Sequence, residues 1–215
     1  MKASGTVYIR ADGTVEGTDK IRRDGDVYTF TDSIINQSIV VERNNTVLDG
    51  ANFTLQGSLN GVLIDVRHIK NVTIKNIQIM GSGIQLLGAN NNTIFRNLIT
   101  GGISFLGSNC NTIVGNTFLG NVWGVYLHQS YNNSFYDNSF INNTEHVHDN
   151  IWDQPYYPEL LSINFWDNCT IGNYWSSYNG TDSDGDGIGD TPYVIDENNQ
   201  DNYPLMEPVP VIPEF

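Results

Sequence analysis

The chain has 215 residues, 39% hydrophobic and only 16% charged, enough for one sizeable core. Acidic residues outnumber basic ones 24 to 10, and a formal net charge of -14 repels phosphate backbones and anionic lipid, so nucleic acid is excluded as a partner. No apolar run approaches the roughly 20 residues that cross a bilayer, and two cysteines do not make a disulfide scaffold.

The start, Met1-Lys2-Ala3-Ser4-Gly5, carries no hydrophobic stretch behind it, so no signal peptide is expected, although a trimmed mature form would look the same. Asparagine is the unusual component, with 28 residues beside 21 glycines. Asn suits turns and left-handed backbone positions and disfavours helix interiors. Thr, Val, Ile and aromatic residues fill the gaps between Asn clusters, which is strand composition. The composition predicts an all-β chain with many tight turns.

In chain order, residues 1–43 hold irregular strand-like runs, Arg22 to Phe30 and Ser38 to Glu42, with no fixed spacing. They are expected to form a cap over the first coil of a repeating segment, because the end coil of a solenoid otherwise offers free strand edges.

Residues 44–178 repeat. Thr73-Ile74, Thr93-Ile94, Thr112-Ile113, Ser134-Phe135 and Thr170-Ile171 recur at steps of 20, 19, 22 and 36. Ile79, Ile99, Phe118 and Phe140 keep the same first three steps, and runs led by Gly61, Gly83, Gly102 and Gly124 recur at 22, 19 and 22. A repeat this short holds only strands and turns. One such coil cannot bury its own apolar face, whereas coils stacked about 4.8 Å apart pair strand on strand and share a core. The prediction is a right-handed parallel β-helix, its hand taken from the rule for parallel crossovers. Ile74, Ile94, Ile113 and Phe135 should stack inside. Val62/Ile64, Ile84/Leu86, Ile103/Phe105 and Val125/Leu127 should form a second inward column. Asn97, Asn116 and Asn138 stand in register at a turn, where their amides can hydrogen-bond up the stack. The long last step predicts an insertion at about 145–162.

Residues 179–206 are expected to form a C-terminal cap built on a calcium loop, Asp182-Ser183-Asp184-Gly185-Asp186-Gly187-Ile188-Gly189-Asp190. Carboxylates at loop positions 1, 3, 5 and 9, glycine at 6 and a backbone carbonyl at 7 are what Ca²⁺ uses. The predicted ligands are Asp182, Asp184, Asp186, the Ile188 carbonyl and Asp190. Tyr193 stands where the usual bidentate acid would be, leaving Asp196, Glu197, Asp201 or water to complete the shell. The proline-rich residues 207–215 read as a stiff linker.

With the repeats and ends set out, the chain resembles the NosD-like proteins of the carbohydrate-binding and sugar-hydrolase β-helix superfamily. The opening, from Gly5-Thr6-Val7-Tyr8-Ile9 to Asn45-Thr46-Val47-Leu48-Asp49-Gly50, is similar to that of archaeal surface proteins of this group. So is the closing, Gly172-Asn173-Tyr174-Trp175-Ser176-Ser177-Tyr178 with Asp186 to Tyr193 and Asp201-Asn202-Tyr203-Pro204. The resemblance implies export to an extracellular or cell-surface setting in an archaeon, and says little about activity.

Other candidates are weaker. His146 and His148 flank Val147, so on a strand they share a face, and with His128 they form a candidate copper or zinc site; two solvent-facing loop histidines are the plainer reading. The outward column of the glycine-led strands, Leu63, Gln85, Ser104 and Tyr126, with neighbours Asp65, Leu87, Leu106 and His128, contains one acid and no partner for it. General acid and base work on sugars needs paired carboxylates, so no catalytic residue is assigned. Trp152, Tyr156, Tyr157, Phe165, Trp166, Tyr174, Trp175 and Tyr178 read as core beneath the insertion and cap, or as a sugar-stacking platform. Cys110 and Cys169 sit two coils, about 10 Å, apart, beyond disulfide reach, so free thiols are expected. Three functions are compatible with these features: a calcium-stabilised structural, adhesive or assembly module at the cell surface, with copies stacking end to end or laterally; a protein that binds or modifies a cell-surface glycan; and a NosD-like copper-handling accessory protein.

Overall fold

The computed structural model describes residues 5–57, 61–150 and 162–210. Every element among them is a β-strand, and three parallel ladders run the length of the molecule. The first sheet orders Val15–Glu16 (β2), Gly5–Ile9 (β1), Gln37–Val41 (β6), Val62–Arg67 (β9), Gly83–Leu87 (β12), Ile103–Leu106 (β15), Trp123–His128 (β18) and Glu145–Asp149 (β21). The second orders Ile21–Asp24 (β3), Val27–Phe30 (β4), Thr46–Asp49 (β7), Val72–Lys75 (β10), Thr93–Phe95 (β13), Thr112–Val114 (β16) and Ser134–Tyr136 (β19). The third orders Ile34–Ile35 (β5), Thr54–Gln56 (β8), Gln78–Met80 (β11), Leu98–Ile99 (β14), Thr117–Leu119 (β17), Ser139–Ile141 (β20) and Tyr174–Trp175 (β22). Each coil gives one strand to each sheet, which is a parallel β-helix.

The interior keeps the repeat. Thr73, Ile74 and Lys75 pair with Thr93, Ile94 and Phe95, which pair in turn with Thr112, Ile113 and Val114. Ile74, Ile94, Ile113 and Phe135 are all fully buried, as are Ile79, Ile99, Phe118 and Phe140. Like side chains stack on like because parallel strands in register place equivalent positions one above the other.

The turns explain the asparagine. Eight of the non-glycine residues at positive φ are asparagines: Asn36, Asn45, Asn52, Asn71, Asn76, Asn91, Asn132 and Asn142. Asn tolerates this left-handed backbone better than most residues. Other asparagines build inward ladders. Asn97 Nδ2 donates to Asn116 Oδ1 at 3.0 Å, Asn116 to Asn138 at 3.1 Å, and Asn138 to Asn173 at 2.9 Å. A second ladder runs from Asn92 through Asn111 and Asn133 to Asn164 at 2.9–3.1 Å. Each Oδ1 also accepts the backbone N–H of the coil before, and each Nδ2 also reaches a backbone carbonyl, so turn groups that would otherwise be buried and unpaired are satisfied.

Three placements differ from the sequence reading. First, the period-breaking start still contributes a coil: β1 pairs in parallel with β6, β4 with β7 and β5 with β8, while β2 and β3 lie antiparallel on the outer edges. Second, Ile64 rather than Val62 pairs with Ile84, because a bulge takes up Leu63 beside Val62. The outward column is therefore Asp65, Gln85, Ser104, Tyr126 and His148. Third, Trp166 rather than Ile171 stacks on Phe135, with ring centroids 4.3 Å apart, and Ile171 is exposed. Of the expected insertion, Glu145–Asp149 is a strand of the first sheet, and 151–161 lie outside the described residues.

Candidate functional site

The last coil carries the metal-type cluster. Beyond β22 the chain runs through the aspartate loop and returns across the end of the solenoid as the short antiparallel pair Tyr193–Val194 (β23) and Gln200–Asp201 (β24). Leu205 bridges both Tyr174 of the last coil and Ile188 of the loop. Gly189 N donates to Pro204 O at 2.8 Å and Met206 N to Gly187 O at 3.0 Å, which fasten the loop to this returning segment.

Within the loop, Asp182 acts as an internal organiser. Its Oδ1 accepts from Gly185 N at 2.7 Å and Asp186 N at 3.2 Å, and its Oδ2 accepts from Gly187 N at 2.9 Å. Gly185 and Gly187, at φ 76° and 87°, allow the backbone to curl around that carboxylate. Asp182, Asp184 and Asp186 thereby bring one oxygen each to within 4.8 Å of one another. An all-oxygen donor set suits a hard cation such as Ca²⁺ or Mg²⁺.

The other expected ligands make contacts of their own. Asp190 Oδ2 accepts from Ser183 Oγ at 2.6 Å, Thr181 Oγ1 at 3.0 Å and Ser183 N at 3.1 Å, bonds that hold its carboxyl below the usual range. It does not join the three-carboxylate group. Ile188 forms the bridge to Leu205, and its N–H donates to Asp186 Oδ1 at 2.8 Å. Asp196 accepts from Asn198 N and Asn199 Nδ2, and Asp201 is fully buried.

Asp201 has a role that sequence reasoning missed. Its Oδ2 accepts from Asn173 N at 2.7 Å and Trp175 Nε1 at 2.8 Å, ending one asparagine ladder. Two residues earlier, Asn199 Oδ1 accepts from Asn164 N at 3.0 Å and Trp166 Nε1 at 3.1 Å, ending the other. The only signal in the sequence was the Asn199-Gln200-Asp201 spacing, which puts both side chains on one face of a strand.

The histidines do not converge. His146 is buried against Phe140, Trp175 and Tyr193, its Nδ1 accepts from Asn143 Nδ2 at 3.2 Å, and burial lowers its pKa. His148 instead stacks on Trp123 at 4.6 Å and contacts Glu145 at 3.0 Å, so the two do not share surroundings. His128 meets Asn150. Cys110 and Cys169 are free and exposed, as expected. Among the described residues, no helix is long and apolar enough to cross a membrane.

No curated protein matches this sequence closely enough to count as a relative. A family model described as "Periplasmic copper-binding protein (NosD)" matches residues 4–180, which is the solenoid from its first strand through β22 and stops short of Asp182. The chain belongs to the NosD family of parallel β-helix proteins.

Proposed function

We propose that this chain is an extracytoplasmic accessory module of the NosD kind, a rigid β-helix in a copper-handling system, whose own bound ion is calcium. The family's printed description supports the setting and the copper connection. Copper favours imidazole and thiolate ligands. All four His and both Cys lie among the described residues, and no three of His, Cys, Asp or Glu converge there except Asp182, Asp184 and Asp186. The described residues therefore do not fit a three-ligand copper centre. Copper contact is left to surface groups shared with a partner, with the His148–Glu145 pair as the available donor pair.

The carboxylate triad is the observation that carries the calcium reading. An ion there pulls together three like charges and clamps the loop, through Gly187, Gly189 and Leu205, onto the last coil. Chelation of the purified chain should lower its Tm, and Ca²⁺ but not Cu²⁺ should restore it. An unchanged Tm on chelation removes the calcium assignment. Stoichiometric copper retained after dialysis and lost in His146→Ala or His148→Ala would instead place the copper ligands on this chain.

A further inference from the structure

We propose that the cleft between Ser104 and Trp123 on the outer face of the first sheet binds a neutral saccharide ring. This cleft is separate from the aspartate loop, although His148 of the donor pair named above packs behind its aromatic side.

Trp123 and Tyr126 line one side of this cleft, and His148 packs against both. Trp123 stacks on His148 with centroids 4.6 Å apart and planes 15° apart, and Tyr126 lies 5.2 Å from Trp123 and 5.6 Å from His148. Tyr126 and His148 are consecutive members of the outward column, so neighbouring coils supply a continuous aromatic surface. Trp123 nevertheless keeps 43% of its surface exposed, beside Val122 at 69%. A large ring held by its neighbours yet open to solvent loses little conformational freedom when a ligand stacks on it.

The opposite side and floor are small and uncharged. Gly81, Thr100, Gly101, Ser104, Gly120 and Asn121 line a cleft of 340 Å³. That volume falls in the range of small-ligand sites, roughly 300–1,000 Å³. The floor is narrow because glycines let the coils approach. A Cβ on Gly101 would collide with the Ser82 backbone, and one on Gly102 would collide with the Trp123 carbonyl. Polar groups are fixed within it. Asn121 is 4% exposed, and its Oδ1 accepts no hydrogen bond among the described residues, whereas Asn97, Asn116 and Asn138 each accept from the coil before.

Charge selects the class. No Asp, Glu, Lys or Arg lines the cleft, and the net charge of -14 opposes an acidic sugar. An aromatic wall with neutral hydroxyl and amide partners suits the apolar face and hydroxyl edge of an uncharged pyranose.

Intrinsic tryptophan fluorescence and calorimetry, run with cellohexaose, xylohexaose, mannohexaose and tetragalacturonate as probes, test the site. At least one neutral probe should bind and the galacturonate should not. Trp123→Ala should weaken that binding by about tenfold or more. Ser104→Arg should abolish it while leaving the aromatic wall in place, and both variants should melt as the wild type does. The proposal is overturned if no neutral probe binds at millimolar concentration, if the galacturonate binds as well, or if either folded variant binds like the wild type. A Trp123→Ala chain that fails to fold leaves Ser104→Arg to decide.

Discussion

Trp175 donates its indole N–H to Asp201 Oδ2 at 2.8 Å while its ring lies stacked between Phe140, at 4.3 Å, and Tyr193, at 4.4 Å. One residue thus continues the apolar stack of the third sheet and ties the returning C-terminal segment to the end of an asparagine ladder. Trp175→Phe keeps the stack and removes the donor, so it should cost about 1–2 kcal/mol. Trp175→Ala removes both and should cost about 3–5 kcal/mol. Urea unfolding of the two variants measures the difference.

Asp201 makes stability depend on pH. Burial pushes its carboxyl from 3.8 up to about 6, against the partial opposition of the Trp175, Asn173 and Tyr203 N–H groups. Between those values the folded chain keeps a proton that the unfolded chain has released. Its contribution is therefore present below about pH 4 and is lost as pH rises to about 6, by of order 3 kcal/mol. In Asp201→Asn that component should be absent, so the wild-type minus variant stability should fall across the window. A flat difference would contradict the assignment.

His146 works in the opposite direction. Burial lowers its pKa from 6.5, so below that value the unfolded chain takes up a proton that the folded chain resists. Stability should fall as pH drops below 6.5, and His146→Gln should remove that dependence. Thermal melts of the variant and the wild type between about pH 5 and 7.5 provide the comparison.

Asn116 sits mid-ladder, accepting from Asn97 N and Nδ2 and donating to Asn138 Oδ1 and Ile94 O. Asn116→Ala strands buried groups on the coils either side and should cost about 2–4 kcal/mol. Asn142, at a turn, has less to lose, and Asn142→Gly, which keeps positive φ accessible, should be nearly neutral.

The aspartates of the loop should separate. Asp182 accepts three backbone N–H bonds, so Asp182→Ala should loosen the loop even without an ion. Asp184 accepts only a long one, from Asp186 N at 3.3 Å. Asp184→Ala should leave the chelated protein nearly unchanged and abolish the calcium-dependent rise in Tm. Melting curves with and without Ca²⁺ distinguish the two.

The sequence by itself determined the coil. Ile74, Ile94, Ile113 and Phe135 recur at one spacing because parallel strands in register demand like residues at like heights, and that demand is written locally in every repeat. The Asn97–Asn116–Asn138 ladder was legible for the same reason. Only the tertiary structure decided the ends and the bulge. Trp166 takes the place of an isoleucine after an irregular step, and the bulge at Leu63 shifts the register of the first repeat by one residue. Asn199 and Asp201 reach the ladder ends from beyond the repeats. Such contacts pair residues about 30 positions apart with no period to announce them, so their partners exist only once the chain has closed back on its last coil.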